Sequence, residues 1–358
     1  MTPCVSVIVP TYNRSYQLTQ TIDAMLGQTF SDWELIIYDD ASSDNTQEVV
    51  RQYSDSRIRY YRNDRNIGIY PNWNRGIKLA QGRYIAIYHD HDIYLPTIIQ
   101  RSVETLEKYP SVYFVHTAHL LIDEANQPVD IDLRPFPTVM SGQEMQKLIA
   151  QSWHSPILAP TVMVRREGYE LAGLYDDSIY GLGADMDMWF RLSAIGDVAY
   201  IADPQMFWRV RTKTQYTGKF RWKNVSGSIQ MRQNHMQMLQ EDNSIKTVFW
   251  RMKFMTQRDY RLLMYISRAF VLKDVNGING GMEVIDQYGS IFVRTASRII
   301  GNSIFLKRLM RRSILPRHYD KVRNMQIQRK ERVQQFLNQT NDKLLLETLA
   351  NLESTTDA

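Results

Sequence analysis

Residues 5–117 alternate short, nearly unbroken apolar runs with stretches whose apolar residues recur at helical spacing, and few folds accept that pattern. The run Val5-Ser6-Val7-Ile8-Val9 is followed by Leu18, Ile22, Met25 and Leu26, which share one helix face and complete a βα unit. Glu34-Leu35-Ile36-Ile37-Tyr38 reads as a second strand. The turn Ser42-Ser43-Asp44-Asn45 offers short polar caps to a helix over 46–53. A third strand is expected over 58–61, a helix over 72–80 stopped by Gly82, a fourth strand over 84–88, and a helix over 96–108 ending before Pro110. Later strands are expected at 112–117 and 161–164. The stretch between them reads as loop, with short helical pieces at 142–150. Apolar strands separated by helices of this length predict an α/β fold with a parallel-rich sheet covered by helices on both faces.

Ligands of such sheets bind beyond the carboxyl ends of the strands. Three polar loops fall there: Pro10-Thr11-Tyr12-Asn13-Arg14, Asp39-Asp40-Ala41-Ser42 and His89-Asp90-His91-Asp92. The last is the richest in chemistry. Two carboxylates favour Mg2+ or Mn2+, and imidazole nitrogen tilts the preference toward Mn2+ or another transition metal. A divalent cation held there suits a diphosphate. The plainer reading is a solvated acidic turn that caps the next helix.

Charge is divided unevenly. Residues 1–219 carry 20 Lys and Arg against 26 Asp and Glu, whereas residues 220–358 carry 23 against 12, consistent with the net +5 of the whole chain. An acidic front disfavours nucleic acid as a ligand; a basic back is suited to anionic lipid, a phosphorylated acceptor or an acidic partner. The same shift in character, to Met-, Gln- and Arg-rich helical sequence, divides the chain into residues 1–219 and a mainly helical region 220–358. No run reaches the roughly 18 apolar residues that would span a bilayer. The single Cys4 permits no intrachain disulfide, and the N-terminus lacks a secretory pattern. A cytoplasmic location is expected. The cluster Lys307-Arg308-Leu309-Met310-Arg311-Arg312, after Ile299, Ile300, Ile304, Phe305 and Leu306, could meet the inner face of an anionic membrane or simply pack as a helix. Gly277 to Gly281 reads as a break between helical sections.

Taken in order, the segments 5–14, 28–42 and 82–92, with Ala184-Asp185-Met186-Asp187-Met188-Trp189-Phe190-Arg191-Leu192, resemble an inverting GT-A glycosyltransferase of family two over roughly residues 4–215. The resemblance implies the GT-A nucleotide-diphospho-sugar transferase fold, with residues 1–219 as catalytic domain. It also implies transfer of a sugar from a nucleotide donor, a UDP-sugar foremost, to a hydroxyl of a glycan or lipid-linked acceptor. Carried over by position, Pro10, Thr11, Tyr12, Arg14, Asp39 and Asp40 line the nucleotide pocket. Asp40, acceptor-only when ionised, suits a base N–H. The family's metal motif is Asp-x-Asp, and this chain departs from it: His89 falls at the first carboxylate, His91 at the ligating one and Asp92 at an extra one. The expected metal ligands are His91, Asp92 and Asp90, with Asp90 alternatively on ribose, for Mn2+ or Mg2+.

Inverting transfer needs a base opposite the leaving diphosphate. The resemblance assigns that role to Asp185, although Ala184 replaces the family's usual Glu; otherwise Asp185 is the N-cap of the helix that follows. Trp153 could stack on a sugar ring, and Arg211 stands where relatives often carry a His. Two alternatives stay open: a nucleotidyltransferase of related fold, and a non-catalytic membrane-associated scaffold. A dinucleotide dehydrogenase is disfavoured, because no Gly-x-Gly-x-x-Gly turn follows an early strand.

Overall fold

The structure is a computed structural model that describes residues 2–152, 154–210, 218–239, 255–266, 275–302, 325 and 327–354. Its centre is an eight-stranded sheet made of β1 (Val5–Thr11), β2 (Trp33–Asp39), β3 (Ile58–Arg62), β4 (Tyr84–Ile87), β6 (Val112–Thr117), β9 (Val139–Met140), β10 (Met163–Arg165) and β11 (Asp197–Ile201). The strands lie in the order β3-β2-β1-β4-β10-β6-β11-β9. Strands β1 to β4 are mutually parallel, as are β6 and β11. β10 is antiparallel between β4 and β6, and β9 is antiparallel at the edge.

The period-two alternation of a strand sends neighbouring side chains to opposite faces, so the apolar runs supply two cores at once. Ile8, Ile36, Ile85 and Ile87 face α3 (Ile69–Leu79), α5 (Gly142–Gln151) and α8 (Ala184–Ser193). Val5, Val7, Val9, Leu35 and Ile37 face α1 (Ser15–Leu26) and α4 (Ile98–Lys108). Leu18, Ile22 and Met25 on α1 are fully buried, as are Ile98, Ile99 and Leu106 on α4. Each such side chain contributes about 1.5–3 kcal/mol. Between β2 and β3 lies α2 (Thr46–Arg51), and α6 (Arg166–Ala172) follows β10. α3 begins three residues before the expected start, since Pro71 in its first turn lacks only an N–H that would have no helical acceptor. α5 carries a full capping box, Ser141 with Glu144.

A second sheet has four strands that the sequence does not announce: β5 (Ile93–Tyr94), β7 (His119–Ile122), β8 (Pro128–Asp132) and β12 (Met206–Arg209), in the order β5-β12-β7-β8. They are short, and β12 pairs with partners more than 80 residues away, so no local pattern marks them. The apolar face of this sheet, with Ile93, Leu120, Ile131 and Phe207, is covered by Val333, Leu345 and Leu349 from the C-terminal helical region. Asp130 holds the same region through Arg329 at 3.0 Å and Arg332 at 2.9 Å.

The shift in composition near residue 220 falls at the start of α9 (Gly218–Met238). The expected break at Gly277–Gly281 does not occur, for a helix runs through it from Val275 to Tyr288. Burial of Val284 and Ile285 against Ile229, Leu262 and Ile266 offsets a penalty of about 1 kcal/mol per internal glycine. The basic cluster 307–312, Trp153 and Arg211 lie outside the described residues.

Candidate active site

The three expected loops meet at one rim and are bonded to one another. In-register pairing of β1 with β2 sets Pro10 beside Tyr38 and Thr11 beside Asp39. Asp40 N–H donates to the Thr11 carbonyl at 2.9 Å, Asn13 N–H to Ser42 Oγ at 2.9 Å, and Ser43 N–H to Asn13 Oδ1 at 2.7 Å. Asn13 adopts the left-handed region (φ 53°), where a short polar side chain can bond locally. The first loop reaches the third through Arg14, whose Nη1 donates to Asp90 Oδ1 at 2.7 Å and lies 3.1 Å from His91 Nδ1.

The acidic pair after β2 divides its duties. Asp39 accepts from Ser42 N–H and Oγ at Oδ1 and from Tyr60 at Oδ2, where Arg62 Nε also lies at 3.3 Å. It therefore fastens the strand end. Asp40 accepts from Asn63 Nδ2 at 2.8 Å and Ile67 N–H at 2.9 Å at Oδ1, and from Gly68 N–H at 3.0 Å at Oδ2. A carboxylate offers about four lone-pair sites, so Asp40 keeps acceptor capacity that Asp39 has used. Tyr12 is 45% exposed on the rim, while Thr11 is buried with a hydroxyl that has no hydrogen-bond partner.

In the third loop the structure rearranges the expected ligand set. His89, His91 and Asp92 bring one ligand atom each to within 4.8 Å of one another. Asp90 faces Arg14 and His91 instead. Burial pushes its carboxyl up, but the His91 hydrogen bond and the Arg14 guanidinium outweigh that and hold it below the ordinary carboxylate range. Asp92 Oδ1 accepts from Arg209 N–H at 2.9 Å, and Arg209 Nε donates to the His91 carbonyl at 3.0 Å. His89 Nε2 and Asp92 Oδ2 are buried without hydrogen-bond partners. Unpartnered buried polar atoms are costly, and two nitrogens with one carboxylate form a donor set that accepts Mn2+ or another first-row metal. The residues present fit a divalent cation.

A wall of aromatic rings runs from this loop to α8, where Tyr175 packs edge-on against Trp189 at 6.3 Å. The His89 ring lies 5.7 Å from Trp73, and Trp73 packs edge-on against Tyr175 at 5.2 Å. Tyr175 is locked to α3 by Asn74, which donates to its carbonyl at 2.8 Å and accepts from its N–H at 3.0 Å. Burial drives the Tyr175 hydroxyl well above its ordinary pKa, and the Asp185 carboxylate pushes the same way. Asp185 lies in the first turn of α8, inside the helix and not at its N-cap, which is Gly183. Its Oδ1 accepts from Met186 N–H at 2.7 Å. Burial outweighs that bond and raises its carboxyl to about 6. Asp187 is engaged by Arg191 at 2.7 Å and His235 at 2.9 Å.

Several residues of this arrangement are not singled out by the sequence. Arg209 lies two positions before Arg211, the residue to which the resemblance points. Trp73 and Tyr175 stand 102 positions apart, so only their aromatic character hints at them. Arg232 carries no local signal at all.

The model of the family "Glycosyl transferase family 2" matches residues 6–169. The putative glycosyltransferase EpsE of Bacillus subtilis is 31% identical over 202 residues, which is 55% of this chain and 69% of that protein. An uncharacterized glycosyltransferase of Rickettsia typhi is 27% identical over 199 residues, 55% of this chain and 61% of that protein, so the chain spans well under the full length of that relative. Among solved structures, residues 1–349 of S. aureus TarS in complex with UDP superpose with a TM-score of 0.55 at 14% identity, covering 87% of this chain and 91% of that one, a likeness of fold. Among the described residues, no helix is long and apolar enough to cross a membrane. The chain belongs to glycosyl transferase family 2 and has the GT-A fold.

Proposed function

We propose that this glycosyltransferase inverts the anomeric centre of a nucleotide-diphosphate sugar, using Asp185 as general base, with the donor held at the rim of β1, β2 and β4. The observation that carries the reading is the wall His89–Trp73–Tyr175–Trp189, which leads from the third loop to the helix that bears Asp185. A donor whose diphosphate lies at the loop then has its sugar along the wall, with the carboxylate beyond it. Asp185 receives the proton of the acceptor hydroxyl as that oxygen bonds to the anomeric carbon and the bond to the diphosphate breaks. A carboxyl near pKa 6 suits this role, since at neutral pH it is mostly ionised, yet more basic than an exposed Asp.

His89, His91 and Asp92 would hold a divalent cation, Mn2+ before Mg2+, which supplies charge neutralisation to the departing diphosphate. Asp90 and Arg14 hold His91 in place, an arrangement common around metal-ligating imidazoles. Arg14 also brings positive charge toward the phosphates, and Asp40, with Pro10, Thr11 and Tyr12, receives base and ribose.

The donor we favour is a UDP-sugar. One relative, 36% identical over 104 residues (29% of this chain and 41% of that protein), is the Escherichia coli UDP-Glc:alpha-D-GlcNAc-diphosphoundecaprenol beta-1,3-glucosyltransferase WfgD. The same comparison supports a glycan or lipid-linked acceptor, with a place in polysaccharide biosynthesis. Residues 1–219 form the catalytic region and 220–358 a helical region that braces it. Contact with an anionic bilayer on the cytoplasmic face is supported by the helix Ile291–Asn302, where Ile291, Phe292 and Ile299 are exposed beside Arg294 and Arg298. The family assignment favours sugar transfer over the nucleotidyltransferase alternative, and turnover with a nucleotide sugar separates it from the non-catalytic scaffold.

The test is thermal stabilisation by UDP- and GDP-sugars with and without Mn2+, since a ligand bound only by the native state raises its apparent stability. Stabilisation by a UDP-sugar in Mn2+ is expected. No response to any nucleotide sugar would overturn the donor assignment.

A further inference from the structure

α9 is fastened to the segment that presents Asp185. Gly227 lies so close to Tyr180 that a Cβ there would stand 2.4 Å from the Tyr180 carbonyl oxygen. Asn234 Nδ2 donates to the Tyr180 hydroxyl at 2.9 Å. His235 Nε2 lies 2.9 Å from Asp187 Oδ1, and its ring stacks on Phe190 with centroids 3.8 Å apart. Among these contacts sits Arg232, 1% exposed. It donates through Nε to the Ser152 carbonyl at 2.6 Å and through Nη1 to the Ser228 carbonyl at 2.8 Å, and its Nη2 lies 3.6 Å from Met186 Sδ. Met186 is the neighbour of Asp185, and the Arg232 and Asp185 charges act on each other.

We infer that Arg232 is a positioning residue for sugar transfer: from a helix beyond the matched family region, its buried guanidinium ties α9 to the Ser152 carbonyl and to Met186 and so holds the first turn of α8, with Asp185, in place. The inference rests on the proposed role of Asp185 as base. A guanidinium stays charged at any working pH, and burying one is expensive unless polar groups and charge complement it. Here the complement includes two carbonyls and the field of a carboxylate. Among the described residues, the titratable and charged groups about Asp185 are few. Tyr175, from the loop before α7 (Asp177–Tyr180), is kept neutral by burial. Arg232 comes from α9, with Arg261 behind it from residues 255–266. Asp187 on the same helix is neutralised by Arg191 and hydrogen-bonded to His235, whose imidazole burial holds below its ordinary pKa. After the backbone N–H bonds of α8, chiefly that of Met186, Arg232 is the cation that opposes the effect of burial on Asp185. Its loss shifts the carboxylate toward its protonated form.

The experiment is a titration of the full chain labelled with 13Cγ-aspartate, in which Asp185→Asn identifies the Asp185 signal. Arg232→Met should raise the Asp185 midpoint and so lower its ionised fraction on the acid side. Arg232→Lys, which keeps the charge, should stay within a few tenths of a unit of the parent. Arg232→Gln, still able to donate to the Ser152 carbonyl, replaces the Met variant if that variant does not fold. An unmoved midpoint in a folded Arg232→Met or Arg232→Gln protein overturns the inference. The two readings separate cleanly: transfer that persists in Asp185→Asn removes the base itself, whereas an inactive Asp185→Asn with an unmoved Arg232 titration removes only the role of Arg232.

Discussion

Arg14 and Asp90 form a 2.7 Å ion pair across 76 residues, with the carboxylate 1% exposed and the guanidinium about one-third exposed. Through it the loop after β1 is tied to the loop after β4 that carries the candidate metal ligands. Arg14→Ala leaves a buried carboxylate with His91 as its remaining partner. We predict a loss of about 1–3 kcal/mol at neutral pH, a range discounted for the exposure of Arg14. Asp90 titrates below the ordinary range in the folded chain. The pair therefore stabilises above the unfolded carboxylate pKa, and its contribution disappears as pH falls through the folded value. Urea unfolding at pH 7 and pH 3 checks this: the difference between parent and variant should shrink at pH 3.

The metal site is predicted to depend on both imidazoles. His89→Ala and His91→Ala should each weaken Mn2+-dependent nucleotide binding by about tenfold or more, and Mn2+ should support binding better than Mg2+ because of the nitrogen donors. Calorimetric titration with UDP in each metal measures it. Equal affinity in Mn2+, Mg2+ and chelator would reject the site.

Arg209 holds the third loop from behind, through Asp92 and the His91 carbonyl. The backbone N–H survives any substitution, so Arg209→Met removes only the side-chain bonds to His91 and Gln20. Folding stability should fall by about 1 kcal/mol, with a larger proportional loss in Mn2+-dependent UDP affinity, read from the same calorimetry and a thermal melt.

Much of the fold is legible in the sequence because β1, β2 and β4 are buried on both faces and so carry continuous apolar runs such as Val5–Val9 and Leu35–Ile37. The second sheet is not. Strands such as Pro128–Asp132 are short and half polar, and β12 pairs with strands more than 80 residues away. At the site, Arg14, Asp40, His91 and Asp92 can be placed from their loops, whereas the grouping of His89, and not Asp90, with His91 and Asp92 depends on how a single turn rotates its side chains. Arg232 reaches the vicinity of Asp185 across 47 residues, a contact for which no local pattern exists.

Burial also links the proposed base to stability. Asp185 has a folded pKa of about 6, above its unfolded value. Its neutral form is the one that folding favours, so its contribution is present below pH 4 and is lost as pH rises through 6. Asp185→Asn mimics the neutral form and should be more stable than the parent at pH 7.5, by about 1–3 kcal/mol. At pH 4 the two should unfold alike.

The most direct test of a shared transfer site is the Asp185→Asn enzyme, assayed with the nucleotide sugar that stabilises the parent. Donor affinity in Mn2+ should stay within about twofold, while turnover falls by about 10²- to 10⁴-fold, the span that a general base supplies. Turnover at the parent rate would contradict the account, because a carboxylate that can be replaced by an amide without loss takes no proton.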